Sequence, residues 1–325
     1  MGRIVFRMTI PTQHRPDAVP TSVRRRRARQ QADDYGGVLS RAMLRGCGVD
    51  HEMIRREIAA ERWMLHGHQT VAVTTAPLSA TARRWQAVWE TGLKVAALDG
   101  MSALQQAGLT GFDDQTVHLS VKHTARVTSL DGVRIHKVIR RLEHEVMHAG
   151  IPRTRPSVAG VRAAHWAASD RQAALVLVMP VQQRLCTGAQ LVAAASLIRG
   201  RNRRNLIHLL VHDIADGAHS LGELDVVAAC RRRGLPEPTR QEMRRLPNGT
   251  AYLDIAWKEA RLVVEVDGAG HALGLQVIGD DLRQNQVQLA DELVLRVSLI
   301  GWRLMPEAYL DQICAAYWSR AGRRW

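Results

Sequence analysis

Two alternating apolar segments, residues 250–257 and 262–267, constrain the fold of this chain more than any other feature. Both have the period of two that is typical of β-strands, and the residues between them, 258–261, are enough for a tight turn. The pattern therefore predicts a β-hairpin. Because side chains two residues apart share a strand face, Glu265 and Asp267 are expected on the same face.

Acidic side chains are concentrated on this hairpin and just after it. Asp254 lies on the first strand, Glu265 and Asp267 lie on the second, and His271 follows shortly after Gly268. Ionised carboxylates among valine and isoleucine are costly to bury without a partner. Hard divalent cations bind clustered oxygen ligands. The hairpin therefore predicts a site for Mg²⁺ or Mn²⁺, and the alternative is an ordinary hairpin whose acids are solvated.

The segments around the hairpin predict a mixed α/β domain. Ser220 and Glu223 form a capping box that begins a helix before the hairpin. A helical stretch at 281–292, an apolar strand at 293–298 and a closing helix at 307–318 follow it. The order helix, strand, strand, helix, strand, helix is typical of a mixed sheet flanked by helices.

Residues 205–320 resemble the very-short-patch-repair-like branch of the PD-(D/E)XK endonucleases. The resemblance is carried by separated acidic, histidine and arginine positions, which are Glu223, Asp254, residues 265–271 (EVDGAGH), Asp281, Arg283 and Arg296. It implies that the acidic and histidine positions are catalytic, namely Glu223, Asp254, Glu265, Asp267 and His271. It also implies phosphate binding by Arg283 and Arg296, because guanidinium groups match phosphate oxygens.

The resemblance implies Mg²⁺-dependent cleavage of DNA, with Mn²⁺ as a substitute ion. Asp254, Glu265 and Asp267 would bind the metal, and His271 would accept a proton from the attacking water. One departure from the parent nucleases is the missing active-site lysine, since Asp267 stands at its position. This departure leaves open an alternative, a repressor or antitoxin whose nuclease-like domain is catalytically silent.

An N-terminal segment predicts a winged helix-turn-helix. Residues 38–47 and 51–60 predict two short helices joined by a glycine turn, with Asp50 capping the second. Residues 63–73 alternate around Gly67 like a two-stranded wing. This order is typical of DNA-binding domains, and the alternative is a helical hairpin that contacts no DNA.

The same segment resembles the N-terminal domain of AbiEi-type antitoxins. The resemblance implies DNA binding, with Arg55 and Arg56 exposed on the second helix. It also implies a protein partner, either a cognate toxin or a second copy of the chain.

The charge of the chain favours a polyanionic partner. The net charge is +14, and almost all of the 45 basic residues are arginine. Such a field attracts phosphate backbones, so DNA is the expected partner. The arginine run at 24–29 predicts an unstructured basic arm, either a nucleic-acid tail or a solvated leader.

These patterns divide the chain into four parts. They are a basic, disordered tail at 1–36, a winged helix-turn-helix at 37–78, an α+β middle region at 79–204 and a restriction-endonuclease-like domain at 205–325. In the middle region two strands are predicted to pair and to hold His118 and His136 on an outward polar face.

The cysteines and the hydropathy bear on the compartment. The four cysteines have no C-x-x-C spacing, so they predict neither a disulfide framework nor a zinc site, and they fit a cytoplasmic location. No apolar run reaches the roughly 18 residues of a membrane span, so no membrane association is expected.

Overall fold

The computed structural model describes residues 19–142, 144–216, 221–246, 249–267 and 293–322. These residues form a mixed α/β protein, as the sequence predicts, and their strands are arranged in three sheets. Two compact units divide the chain, residues 1–94 and 95–325. Within the described part, every helix is too short or too polar to cross a lipid bilayer.

The N-terminal unit contains four helices and three short strands among its described residues. In chain order they are α1 (Thr21–Asp33), β1 (Val38–Ser40), α2 (Arg41–Gly46), α3 (His51–Ala59), β2 (Met64–Leu65), β3 (Thr70–Ala72) and α4 (Ala80–Thr91). The strands form an antiparallel sheet in the order β1-β3-β2.

Local capping explains where the two helices of the predicted module begin. The side chain of Ser40 accepts a hydrogen bond from the backbone N–H of Met43, and that of Asp50 accepts one from Met53. Such bonds satisfy donors that a helix N-terminus leaves without partners. The first predicted helix therefore begins at residue 41, and residues 38–40 form β1 instead.

The prediction of a disordered basic tail is wrong for residues 21–33, which form α1. Ala28 and Ala32, one helical turn apart, are fully buried in the core of the N-terminal unit beside Leu39 and Leu44. Helix α1 packs through small alanines, while its arginines occupy the other faces. The many arginines of this segment favour a disordered tail, and two alanines are too weak an apolar pattern to predict a buried helix face.

Helix α4 belongs to the N-terminal unit, which extends beyond the predicted limit at residue 78. The Glu90 carboxylate accepts hydrogen bonds from the backbone N–H groups of His68, Gln69 and Thr70, at 2.8, 2.9 and 2.8 Å. These bonds hold the loop between β2 and β3 against α4.

The second unit begins with a five-stranded sheet and a group of helices. The elements are β4 (Ala97–Leu98), α5 (Gly100–Gln106), β5 (Val117–Lys122), β6 (Val133–Val138), β7 (Val146–Met147), β8 (Arg153–Thr154), α6 (Pro156–Trp166), α7 (Asp170–Gln182), α8 (Gly188–Leu197) and α9 (Arg204–Asp216). The sheet order is β6-β5-β4-β8-β7. The predicted pairing of β5 with β6 is confirmed, and the two strands run parallel.

A four-stranded sheet follows in the same unit. Its elements are α10 (Leu221–Arg232), β9 (Thr239–Leu246), β10 (Gly249–Trp257), β11 (Leu262–Asp267), β12 (Leu293–Ser298), α11 (Leu299–Leu304) and α12 (Pro306–Arg320). The sheet order is β12-β11-β10-β9. Strands β10 and β11 are antiparallel and joined by a short turn, so the predicted hairpin is confirmed.

Two differences from the sequence prediction concern this region. Strand β9 was not predicted, because its sequence is arginine-rich and lacks a period-two apolar pattern. Helix α9 packs against α6, α7 and α8, and Asp213 on it accepts a hydrogen bond from Arg303 of α11 at 3.0 Å. The predicted boundary at 204/205 therefore does not separate two compact units.

Candidate functional site

The four-stranded sheet has two chemically different faces. One face packs against α10 and α12 through buried side chains such as Ile255, Val264 and Leu295. Alternate strand residues belong to the other face, where Ala256 and Val263 form a small buried cluster against Val294. Glu265 and Arg296 lie on this second face.

Glu265 and Arg296 are brought together on the second face. Strands β11 and β12 are parallel, and their register pairs Glu265 with Arg296. The Arg296 Nε atom lies 3.4 Å from Glu265 Oε2, and the two side chains are 55% and 32% exposed. A predicted metal ligand thus forms an ion pair with a predicted phosphate-binding residue, and both remain open to solvent.

Asp254 lies next to this pair along the β10–β11 ladder. The register pairs Ile255 with Val264, and the next residues along the two strands are Asp254 and Glu265. If the same register continues for one more residue, the backbone positions of Asp254 and Glu265 lie opposite each other. The side chain of Asp254 lies outside the described part, so a separation of roughly 6 Å between the two carboxylates, the span of one shared ion, stays a prediction.

For the remaining predicted site residues, the structure gives either the backbone position alone or no position. Asp267 is the last residue of β11, and Glu223 lies in the first turn of α10. His271 and Arg283 lie outside the described residues. Within the described residues, His, Cys, Asp and Glu side chains form no group of three that could hold a metal ion.

Helix α3 presents a basic surface. Arg55 and Arg56 are exposed, as predicted, while Met53 and Ile54 are buried in the core of the N-terminal unit. Among the described residues, Arg55 forms an ion pair with Glu52, an exposed residue one turn away in α3, at 3.7 Å. Solvation screens such a pair, so the charge of Arg55 stays available.

A buried carboxylate fixes the orientation of α3. Glu57 is 2% exposed and accepts hydrogen bonds from Arg25 of α1, at 3.0 and 2.6 Å, and from Arg62, at 2.7 Å. Burial acts to raise the pKa of the Glu57 carboxyl, but the hydrogen bonds from Arg62 and Arg25 outweigh it and lower the pKa to about 2. Part of the arginine run in α1 is therefore structural.

Other arginines of α1 face solvent. Arg24 donates a hydrogen bond to the carbonyl of Gly48, and Arg25 donates one to Glu57. These two arginines therefore contact other parts of the N-terminal unit. Arg26, Arg27 and Arg29 are exposed. Exposed charges on α1 thus add to the positive charge of the N-terminal unit.

The histidines of β5 and β6 do not form the predicted outward polar face. His118 Nδ1 lies 2.9 Å from His136 Nε2, and His118 Nε2 lies 3.2 Å from Asp114 Oδ2. The His136 ring stacks on Trp166, with centroids 3.5 Å apart. Burial lowers the pKa of His136 to about 3, and the charges of His118 and Arg134 act in the same direction. No local sequence pattern indicates this contact, because Trp166 belongs to α6.

The second unit also contains a buried charge network that the sequence patterns do not predict. Arg162 of α6 is 4% exposed and donates hydrogen bonds to Asp99, at 2.8 Å, and to Glu145, at 3.0 and 2.9 Å. Burial acts to lower the pKa of Arg162, but the two carboxylates outweigh it and raise the pKa. The network joins the end of β4 to α6, and no spacing rule connects residues so far apart in the chain.

Comparison with known proteins finds a likeness to a solved structure. No protein-family model and no curated protein matches the sequence. The chain is similar to the RV2827C protein from Mycobacterium tuberculosis in its crystal structure, at 16% identity and a TM-score of 0.37. The match covers 59% of this chain and 78% of that chain.

Proposed function

We propose that the N-terminal unit binds duplex DNA as a winged helix-turn-helix. The observation that carries this proposal is the element order α1-β1-α2-α3-β2-β3, with Arg55 and Arg56 exposed on α3. In helix-turn-helix proteins the second helix of the motif enters the major groove. Here α3 is that helix, and β2 and β3 form the wing.

The charges around α3 support the same function. The chain carries a net charge of +14, and Arg26, Arg27 and Arg29 of α1 add exposed cations to this unit. Arginines that neutralise phosphates give sequence-independent affinity for DNA. The hydrogen bonds from Arg25 to Glu57 meanwhile join α1 to α3.

The C-terminal sheet is proposed to hydrolyse phosphodiester bonds in DNA. Support comes from Glu265, which is partly exposed on the second sheet face. Further support comes from Asp254 on the neighbouring strand, which is adjacent to the Ile255–Val264 pair. Carboxylate oxygens from adjacent strands are suitable ligands for Mg²⁺ or Mn²⁺. Asp267, two residues beyond Glu265, is the third proposed ligand.

Each residue has a role in this hydrolysis. A bound Mg²⁺ supplies Lewis acidity to the scissile phosphate and lowers the pKa of water. Asp254 and Glu265 hold the ion, and His271 accepts a proton from the attacking water. Arg296 binds a phosphate oxygen once its contact with Glu265 is exchanged for the substrate. Glu223 and Arg283 complete the proposed set, as a water-mediated ligand and a second phosphate-binding residue.

A second candidate function is a DNA-binding repressor or antitoxin with a silent nuclease-like domain. The observation that favours it is the Glu265–Arg296 ion pair, because an arginine already neutralises the carboxylate that would hold the cation. The absence of the superfamily lysine points the same way. Its partner would be a toxin or a second copy of the chain, in the cytoplasm.

A plasmid-nicking time course separates the two candidates. The nuclease proposal predicts Mg²⁺-dependent nicking by the parent chain, reduced at least about a hundredfold in Glu265→Gln and in Asp254→Asn, because each loses a metal ligand. Glu307→Gln is the matched control, since it removes an exposed acid that pairs with Arg233. It should nick at the parent rate.

The same proteins are melted with and without Mg²⁺. An ion that binds only the folded state stabilises it. Mg²⁺ should therefore raise the melting temperature of the parent and leave that of Glu265→Gln unchanged. Equal nicking by parent and Glu265→Gln would rule out this site. No nicking by any protein, with no Mg²⁺ shift, would favour the repressor.

A further inference from the structure

A cavity of about 470 Å³ lies in the second unit. Its walls come from the end of β6 and the loop after it, from α6, and from the segment that joins α8 to α9. Small-molecule sites in proteins typically measure about 300–1,000 Å³. The cavity is therefore large enough for a ligand with a ring and a charged group.

The charge of the cavity wall favours an anion. Lys137, Arg140 and Arg199 line it, all three are exposed, and none forms an ion pair within the described residues. No aspartate or glutamate is found among the described lining residues. The buried Arg162 also lines the wall, but its charge is neutralised by Asp99 and Glu145, which are not among the described lining residues. Three cations around one concave surface, without an ion pair in the described part of the chain, attract a multiply charged anion.

The rest of the wall is apolar. Trp166 and Leu142 line the cavity, and so do Ile139 and Leu197, which are 80% and 52% exposed. Covering an exposed aliphatic side chain with an apolar part of a ligand is favourable, because apolar area is removed from water. A flat, apolar ring in the ligand would cover these side chains.

We propose that this cavity binds a nucleoside phosphate. Its phosphates lie at Lys137, Arg140 and Arg199, and its base lies against Ile139, Leu197 and the indole of Trp166. A free nucleotide and an unpaired nucleotide of single-stranded DNA share this chemistry. The site uses no residue of α3 or of the four-stranded sheet, so it stands independently of the proposed function.

The binding of mant-ATP to the full chain, followed by fluorescence anisotropy, tests the proposal. The double variant Arg140→Glu/Arg199→Glu should bind the probe at least tenfold more weakly than the parent. The control double variant Arg126→Glu/Arg232→Glu changes the charge equally at exposed arginines outside the cavity lining, and should stay within twofold. Leu197→Trp fills the mouth without a charge change and should weaken binding at least fivefold.

Competition identifies the chemistry of the ligand. Unlabelled ATP should displace the probe, whereas pyrophosphate at the same concentration should not, because it lacks a base. Displacement by an eight-residue oligothymidylate, lost in the cavity variants, would assign the site to single-stranded DNA; displacement by ATP alone would assign it to a free nucleotide. Absence of saturable binding, equal weakening in the control double variant, or displacement by pyrophosphate as effective as by ATP would overturn the proposal.

Discussion

His136 is held in its neutral form between His118 and Trp166, since burial lowers its pKa to about 3. In the unfolded chain a histidine takes up a proton near pH 6.5. As the pH falls from about 6.5 towards 3, the unfolded state therefore gains a proton that the folded state does not, and stability falls. Above this window the group contributes no pH dependence.

We therefore expect the parent chain to melt at a lower temperature at pH 5 than at pH 7.5. His136→Phe keeps a ring for stacking on Trp166 but cannot take up a proton, so its melting temperature should depend less on pH. Thermal melts at both pH values measure this difference. An identical pH dependence in parent and variant would show that His136 does not carry the effect.

Glu57 gives a second prediction at the residue scale. Replacing it by glutamine leaves Arg25 and Arg62 without their carboxylate, so we expect the free energy of unfolding to fall by roughly 1–3 kcal/mol. Glu52→Gln, on the same helix, removes an exposed pair with Arg55 and should cost under about 0.5 kcal/mol. Urea denaturation compares the two, and equal losses would contradict this account of Glu57.

Helix α1 is the element whose role changes most between sequence and structure. Its alanines are buried, so the basic run is part of the folded unit and not a removable arm. We expect Ala32→Glu to lower the stability of the N-terminal unit by about 3 kcal/mol or more, because it buries a charge without a partner. Gln30→Glu adds the same acid on the exposed side of α1 and should have little effect. Circular-dichroism melts of both variants measure the contrast, and comparable melts would place α1 outside the core.

The elements differ in how far the sequence predicts them, for physical reasons. The β10–β11 hairpin is predictable because period-two alternation runs through both strands. Strand β9 lacks that alternation, and α1 buries only alanines, so neither has a strong local signal. The Glu265–Arg296 contact depends on the parallel pairing of β11 with β12, which spacing along the chain does not determine. The stacking of His136 on Trp166 is likewise a tertiary contact.

At the scale of the whole molecule, the two compact units carry different proposed tasks. The first, residues 1–94, presents the basic helices α1 and α3. The second, residues 95–325, holds the four-stranded sheet with Glu265 and Arg296. If affinity for DNA comes mainly from the first unit, substitutions at the sheet should change cleavage and leave binding intact, whereas substitutions on α3 should change binding.

Binding of the full chain to a fluorescent 20-base-pair duplex across a salt series tests this central claim most directly. For the parent, the logarithm of the association constant should fall linearly with the logarithm of salt concentration, by ~0.9 for each phosphate neutralised. Arg55→Ala/Arg56→Ala should bind more weakly at low salt. Its slope should be shallower, by the amount that corresponds to the loss of up to about two phosphate contacts. Arg126→Ala/Arg232→Ala, which removes two exposed arginines of the second unit, should match the parent. Affinity and slope unchanged in Arg55→Ala/Arg56→Ala would contradict the assignment of α3 as the DNA-binding helix.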